Sequence, residues 1–381
     1  MDFRLETCFG QLPDAEQHLA FNLTKEVGRC DGIDAFGEVQ IQALTSGSPT
    51  AVHLLAWIDG HLAGYAQGEV SSDSVELAVH PHHRRQGVAS AMIGHCLEGG
   101  IDHARPGTRS APTSQMPATS REAANAHDTA GGVSRTSPGS QRQTRWWAHG
   151  DLPAAQAAAR RLDLVPVRQM VKMTAPVDTA WTETTAQPPP GTQWHRFTPG
   201  SDEAAWVELN AAAFAGHPEQ GQLTEQDLAW RMDQDWFDPE GFWLLRDQSG
   251  GSNYLGYIWT KVTAESAPAS ASQTTSGPLP SSDRGQRDPS AAGQPGQSDG
   301  GTGARYLGEI YAIGVHPEAQ GRRLGTALLA RGLERLAKAG VSQIDLYVEA
   351  DNAPALAAYR RQGFETSQRH VQYARRVSAH R

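Results

Sequence analysis

The stretch Gly308-Glu-Ile-Tyr-Ala-Ile-Gly-Val-His-Pro-Glu-Ala-Gln-Gly-Arg-Arg-Leu-Gly325 passes from apolar alternation, through a loop rich in glycine and arginine, into a helical run from Thr326 to Ala339. Period-two alternation predicts a strand, and the apolar spacing after the loop predicts a helix. The same order occurs earlier: Val75-Glu-Leu-Ala-Val-His-Pro81, then His82-His-Arg-Arg-Gln-Gly-Val-Ala89, then an amphipathic run from Ser90 to Leu97. Each copy follows an expected hairpin. The first joins Leu54–Ile58 to Leu62–Tyr65 around Asp59-Gly60; the second pairs Phe242–Leu245 with Leu255–Trp259. After the second helix come a strand, Gln343–Glu349, and a helix opening at Asp351-Asn352 and ending at Gly363. Self-similarity on this scale predicts an α/β protein of two tandem folds, each a mixed sheet with helices.

Working outward, Ala104 to Arg145 and Ala264 to Ala304 lose apolar periodicity and fill with Ser, Gly, Pro, Gln, Thr and Asp, so they are read as disordered insertions. Pro176 to Gly191, with Pro188-Pro189-Pro190, reads as an extended linker. The expected domains are therefore 1–175 and 192–381, joined by 176–191. A chain of 381 residues suits two domains of roughly 150 residues each plus such extras.

Composition narrows the function classes. The net charge of -9, with no basic cluster outside the insertions, argues against nucleic-acid or acidic-lipid surfaces and favours a small neutral or cationic substrate. Cys8, Cys30 and Cys96 are odd in number and lack a CxxC pair, so neither a disulfide framework nor a zinc site is expected. His80, His82, His83 and His316 lie in strand-end turns without ligand spacing, and no metal is expected. Met1 to Leu12 carries charges at Asp2, Arg4 and Glu6, and no stretch reaches the ~20 apolar residues of a membrane span. The expectation is a cytoplasmic monomer with no membrane or nucleic-acid partner.

A strand ending in Val-His-Pro, then Arg84-x-x-Gly87-x-Ala89, then a helix, presents successive amides at a positive helix end, a cradle for a diphosphate. This arrangement resembles the GNAT superfamily of N-acetyltransferases, whose loop reads Gln/Arg-x-x-Gly-x-Gly/Ala after the fourth strand; the strand-Asn-helix module Leu346 to Phe364 is similar to that superfamily too. The second copy departs from the pattern, with Arg323 where the first glycine stands; if that position needs a positive φ, Arg is strained there. Longer strings resemble the two-domain mycothiol synthase family within GNAT. They are Asn210-Ala-Ala-Ala-Phe-Ala-Gly-His-Pro-Glu-Gln-Gly221, Trp236-Phe-Asp-Pro-Glu-Gly241, Gly256-Tyr-Ile-Trp-Thr-Lys261, Leu346-Tyr-Val-Glu-Ala-Asp-Asn352 and, in the first half, Asp31-Gly32, Gly37-Glu38 and Trp147-Ala-His-Gly150.

The resemblance implies acetyl transfer from acetyl-CoA to the cysteinyl amine of cysteinyl-glucosaminyl-inositol. It implies cofactor contacts at Leu77, Ala78, Val79, Arg85, Gln86, Gly87, Val88, Ala89 and Ser90 in the first copy. In the second they are Ile313, Gly314, Val315, Gln320, Gly321, Arg322, Arg323, Leu324, Gly325, Thr326 and the run Asn352, Ala353, Pro354, Ala355, Leu356, Ala357. Substrate contacts are implied at Glu38, Glu219, Lys261, Glu309 and Tyr347, with Glu309 as general base and Tyr359 as the acid that protonates the leaving thiolate. From the residues alone, Glu309 is equally a solvated strand-end carboxylate, Tyr359 a core aromatic, and Glu219 or Lys261 a surface charge. The base, the tyrosine and the Asn helix are complete only in the second copy, which is expected to carry catalysis. Two rivals stand: a GNAT enzyme for another amine (protein N-terminus, antibiotic or polyamine), and an acyl-CoA-binding regulatory module without turnover.

Overall fold

The computed structural model describes residues 3–69, 73–97, 113–115, 143–183, 185–217, 220–248, 254–264 and 305–376. The elements of the first half are β1 (Phe3–Phe9), α1 (Asp14–Asp31), α2 (Glu38–Ser46), β2 (Ala51–Ile58), β3 (His61–Glu69), β4 (Ser74–Val79), α3 (Val88–Leu97), β5 (Thr113–Gln115), β6 (Arg145–Ala148), α4 (Pro153–Arg161) and β7 (Leu164–Pro176). The second half adds α5 (Ala180–Glu183), β8 (Thr192–Arg196), α6 (Glu203–Ala213), α7 (Glu225–Met232), β9 (Phe242–Asp247), β10 (Tyr254–Ala264), β11 (Tyr306–Val315), α8 (Leu324–Lys338), β12 (Gln343–Glu349), α9 (Ala353–Arg361) and β13 (Glu365–Arg375).

These elements form two compact units. The first holds Met1–Lys172 together with Val348–Ala353 and Thr366–Arg381; the second holds Met173–Tyr347 and Pro354–Glu365. In the first unit the strand order is β5-β1-β2-β3-β4-β6-β13, with β4–β6 the parallel pair. The last strand of the chain thus lies on β6, Val371 opposite Ala148. In the second unit the order is β12-β11-β10-β9-β8, with β11–β12 parallel.

Both hairpins read from the sequence are present. Asp59 and Gly60 turn β2 into β3 with φ 49° and 81°, the paired left-handed conformations that an Asp-Gly turn supplies to match strand twist. Layers form on both faces of the first sheet: Val88, Met92 and Ile93 of α3 join Val75 and Leu54 in one core, while Leu23 and Val27 of α1 join Tyr65 and Ala78 in the other. In the second unit, α8 buries Leu324, Leu328, Gly332 and Leu336 at four-residue spacing against β10 and β11. Gly332 permits the close approach, since a Cβ there would meet Ile258 and Ile310 side-chain carbons at 2.9 Å.

Of the expected insertion 104–145, Thr113–Gln115 pairs with β1 as a short edge strand and Arg145 opens β6, which differs from a wholly unstructured reading. The rest of it, apart from residues 143 and 144, and the second insertion beyond Ala264 lie outside the described residues. The expected linker contains α5, and its Ala186 amide donates to the buried Glu334 of α8 at 3.0 Å, so the segment is anchored to the second unit. No helix among the described residues is long and apolar enough to cross a membrane.

One buried histidine gives the first unit a pH dependence. His53 on β2 is 1 % exposed; its Nε2 lies 2.8 Å from the Gly10 carbonyl and its Nδ1 2.7 Å from the Tyr65 hydroxyl. Burial pushes its pKa from 6.5 down to about 4, and His370 is lowered to about 4 by burial with His149 and Lys172 nearby. The unfolded chain therefore takes up these protons first as pH falls, so stability is full above pH 6.5 and drains away toward pH 4, by up to about 3 kcal/mol for each histidine. We expect His53→Gln to have a shallower loss of thermal stability between pH 6.5 and 4 than the parent protein, read by melting curves across that range.

Candidate active site

The centre of the second unit is β11. Its exposure alternates, with Gly308, Ile310, Ala312 and Gly314 buried and Glu309, Tyr311, Ile313 and Val315 half-buried, the set expected to share a face. Regular pairing with β10 is interrupted at one point: Trp259 of β10 pairs with Ala312 and Thr260 with Ile310, leaving Tyr311 as an extra residue in a β-bulge. The bulge turns the strand locally and brings Tyr311 into the aromatic core with Ala312, Trp236 and Trp259. On its other edge β11 pairs with β12 only from Leu307–Gln343 to Ile310–Leu346. Both strands continue, β11 to Val315 and β12 to Glu349, so among the described residues the ladder stops midway and the backbone of Tyr311–Val315 runs on without β12.

Beyond Val315 the loop carries two left-handed residues, Gly321 with φ 79° and Arg323 with φ 59°, before α8 begins at Leu324. No side chain caps the α8 N-terminus. A cleft of about 290 Å³ opens there, lined by Val315, Ala319, Gln320, Gly321, Arg323, Leu324 and Gly325. The first unit repeats the device in reverse order: Arg85 has φ 65° and Gly87 φ 89°. Each loop thus needs a positive φ twice, and each fills one with Gly and the other with Arg. The strain anticipated at Arg323 is real, on the order of 1–2 kcal/mol for an L-residue in that region. Arg84, at the head of the first loop, is committed to Asp31 through two bonds of 2.7 and 2.9 Å and to the Val79 carbonyl at 3.2 Å.

Glu309 stands in register with Lys261 on β10 and with Asp345 on β12. Asp345 is buried and accepts from the Thr174 hydroxyl at 2.7 Å and the Gln343 amide at 3.1 Å. The Lys261 ammonium lies 4.2 Å from the Trp236 ring centroid and 5.2 Å from that of Tyr311. Behind them Arg231, buried on α7, donates from Nε to the Tyr311 hydroxyl at 2.7 Å. Trp236, Arg231 and Asp345 carry no role in the sequence reading. Trp236 and Tyr311 lie inside the quoted strings, but nothing in their spacing announces that both rings meet Lys261.

The other expected residues are distributed as follows. Tyr347 follows Leu346, the last residue of β12 paired with β11, and is 44 % exposed. Tyr359 is buried on α9 with its ring 6.1 Å from Phe364, and burial pushes its pKa up to about 12, so the phenol keeps its proton at neutral pH. Asn352, Ala353 and Pro354 are exposed at the entry to α9, where the Asn352 amide donates to the Glu349 carbonyl at 3.1 Å. Glu38 opens α2 in the first unit, and Glu219 lies outside the described residues.

In the first unit β4 also leaves its parallel neighbour early, at Glu76–Trp147, so Leu77, Ala78 and Val79 extend past the ladder as Ile313, Gly314 and Val315 do. Its pairing with β3 is unbroken, with no bulge. At the start of β4 the Ser74 hydroxyl accepts from Gln372 at 3.3 Å, and Asp73 just before it pairs with Arg145 at 3.2 Å. The carboxylate that β4 does carry, Glu76, is 3 % exposed, takes the Gly37 amide at 2.6 Å and meets His149 at 3.1 Å.

Comparison with known proteins agrees with this architecture. The model of the acetyltransferase (GNAT) family matches residues 205–364, and that of an acetyltransferase (GNAT) domain matches 49–125. Mycothiol acetyltransferase of Sanguibacter keddieii is 35 % identical over 371 residues, covering 96 % of this chain and 94 % of that protein. The protein of that name from Mycolicibacterium vanbaalenii is 33 % identical, covering 95 % of each. A tandem GNAT protein from the clavulanic acid biosynthesis pathway shares the fold at 15 % identity, with a TM-score of 0.57 over 99 % of this chain and 100 % of that one. A GCN5-related N-acetyltransferase from Sphaerobacter thermophilus does so at 20 % identity, with a TM-score of 0.54 over 97 % and 95 %.

The strained loop gives a direct test. Arg323→Gly should stabilise the protein by about 1 kcal/mol in denaturant unfolding by relieving the left-handed arginine, while weakening acetyl-CoA binding several-fold at low salt through loss of a cation at the cleft. Unchanged stability and unchanged affinity would contradict both halves of this reading.

Proposed function

Because the chain belongs to the mycothiol acetyltransferase family, a tandem-domain branch of the GNAT N-acetyltransferases, we propose that it moves the acetyl group of acetyl-CoA onto the cysteinyl amine of cysteinyl-glucosaminyl-inositol, giving mycothiol and CoA. The enzyme is an acyl-CoA-dependent N-acetyltransferase. The observation that supports the acetyl-CoA part of this reading is the interrupted β11–β12 ladder, which leaves a strand edge from Tyr311 toward the mouth of α8, while the acceptor rests on the family. Domain limits of 1–175 and 192–381, and a cytoplasmic site of action where acetyl-CoA is made and consumed, belong to the same proposal.

The residues suit a thioester bearing a diphosphate. Ile313–Val315 offers strand hydrogen bonds to the pantetheine arm, as an added strand would take them. The uncapped, positively polarised end of α8, with Gln320, Gly321, Arg322, Arg323, Gly325 and Thr326, receives the diphosphate. Asn352–Ala357 at the start of α9 flanks the same arm. Leu77–Val79 and Arg85–Ser90 make the corresponding cradle in the first unit.

For transfer, the neutral amine nitrogen bonds to the thioester carbon, and a β11 amide, assigned to Ile313, stabilises the oxyanion. Glu309 takes the proton shed by the nitrogen, through water. As the carbon–sulfur bond breaks, Tyr359 gives its proton to the sulfur and regains one from solvent. A phenol at about 12 is a weak acid, but a thiolate released in a dry site is correspondingly more basic. Glu38, Glu219, Lys261 and Tyr347 are proposed contacts to the sugar, polyol and amine. Catalysis is assigned to the second unit, since in the first Glu76 is spent on Gly37 and His149, and Asp73 is paired with Arg145.

Glu309→Gln should lower kcat roughly 10²–10⁴-fold while calorimetry finds acetyl-CoA affinity within about twofold of the parent. Tyr359→Phe should also lower kcat at unchanged acetyl-CoA affinity. Turnover of some other amine, with none of cysteinyl-glucosaminyl-inositol, would overturn the substrate assignment and leave the chemistry standing.

A further inference from the structure

Lys261 is held by rings on a strand where a lysine would ordinarily sweep a wide volume. Its ammonium lies 4.2 Å from Trp236 and 5.2 Å from Tyr311, and those two rings lie 4.9 Å apart. Cation–π attraction of this kind favours one position of the charge, and more so as water is excluded. Tyr311 is itself fixed. It is the bulge residue, it packs on Trp259 at 4.9 Å, and its hydroxyl accepts from Arg231 at 2.7 Å. Arg231 also donates to the Asp227 carbonyl at 2.8 Å. The start of α7 is pinned in turn by a capping box, in which the Asp227 amide donates to the Thr224 hydroxyl at 3.2 Å and the Thr224 amide to the Asp227 carboxylate at 2.9 Å. A chain of contacts thus runs from a helix cap, through a guanidinium and a phenol, to one ammonium in register with Glu309.

A surface contact to substrate hydroxyls would not need that chain. What does need a fixed charge is the protonation of the acceptor. A free amine of this kind is an ammonium near neutral pH, and it must release one proton before its lone pair can bond to the thioester carbon. A second cation held nearby disfavours the ammonium form, and it works against the two carboxylates of the neighbourhood, Glu309 on β11 and Asp345 on β12. Of the charges tied to these rings, Arg231 on α7 bonds to the Tyr311 hydroxyl and adds a further cation to the neighbourhood. Resting on the function proposed above, we infer that Lys261 keeps the bound acceptor nitrogen uncharged for attack, and that Trp236, Tyr311 and Arg231 are positioning residues that hold Lys261 for this task. The proton released goes to solvent before attack. The second proton, lost after the carbon–nitrogen bond forms, is the one assigned to Glu309.

The test is the pH dependence of kcat with acetyl-CoA and acceptor both saturating, since kcat reports groups in the bound complex. It is measured for the parent, Lys261→Met, Lys261→Arg and Trp236→Leu, each with two acceptors of different amine basicity, so that the limb following the amine is identified. In Lys261→Met that limb should move up by about one pH unit, with kcat near pH 7 falling roughly tenfold and recovering at higher pH. Lys261→Arg, which keeps charge and ring contacts, should restore the parent profile, and Trp236→Leu should shift the limb part of the way. If Trp236→Leu fails to fold by its melting curve, Tyr311→Phe takes its place, with a smaller shift in the same direction. A uniform loss in Lys261→Met with an unmoved limb overturns the inference and leaves Lys261 as a substrate contact. A shift in Lys261→Met that neither ring variant shares overturns the positioning half. If the parent itself turns over no amine, it is the function proposed above that has failed, before any variant is compared.

Discussion

The parallel pairing of β11 with β12 stops at Ile310–Leu346 while both strands run on. Backbone amides and carbonyls in a sheet are strong hydrogen-bonding groups, so a strand edge that its neighbour leaves behind is suited to an extended ligand. The rest of the second unit is arranged around that edge. The bulge at Tyr311 sets the strand's course, β10 supplies Lys261 opposite Glu309, and the loop after Val315 delivers the chain into α8 with its amide end uncapped. An extended ligand with an anion at one end and a reactive carbonyl at the other suits such a groove, and acetyl-CoA has that form.

Comparing the two units separates what the fold requires from what the chemistry requires. Both have the interrupted ladder, the His-Pro turn and a loop with two left-handed residues. The likeness extends to the one-glycine, one-arginine composition of each loop. The bulge on the strand leading into the loop, and a lysine of the adjoining strand held between two rings as Lys261 is, are features of the second unit. In the first, the β3–β4 register is unbroken, and Glu76 is turned to securing the start of α2. In the first unit Glu76 is held by the Gly37 amide and His149, so the buried carboxylate of β4 serves packing there.

The strand-loop-helix repeats were legible because local patterns determine them: alternation, the Val-His-Pro ends, and the Asp59-Gly60 turn whose φ values demand those residues. The site was partly legible. Glu309 stands in register with Lys261, the loop before α8 lines a cleft with Val315, and Arg323 does occupy a left-handed position. What could not be read depends on register between distant segments. The bulge exists only relative to β10, the Arg231–Tyr311 bond joins residues from a helix and a strand far apart in the chain, and Asp345 becomes a neighbour of Glu309 only through the parallel pairing. The same limit applies to β5, three residues in a stretch without periodicity that find a partner in β1, and to β13, which pairs with β6.

The account stands on the edge of β11 and the mouth of α8 taking up the thioester. Backbone amide hydrogen exchange on the intact protein, with and without acetyl-CoA, addresses that most directly. Slowed exchange across residues 311–326, with Ile313–Val315 among the amides protected, is the predicted result. Exchange unchanged there at saturating acetyl-CoA, or slowed only across 77–90 of the first unit, would contradict it.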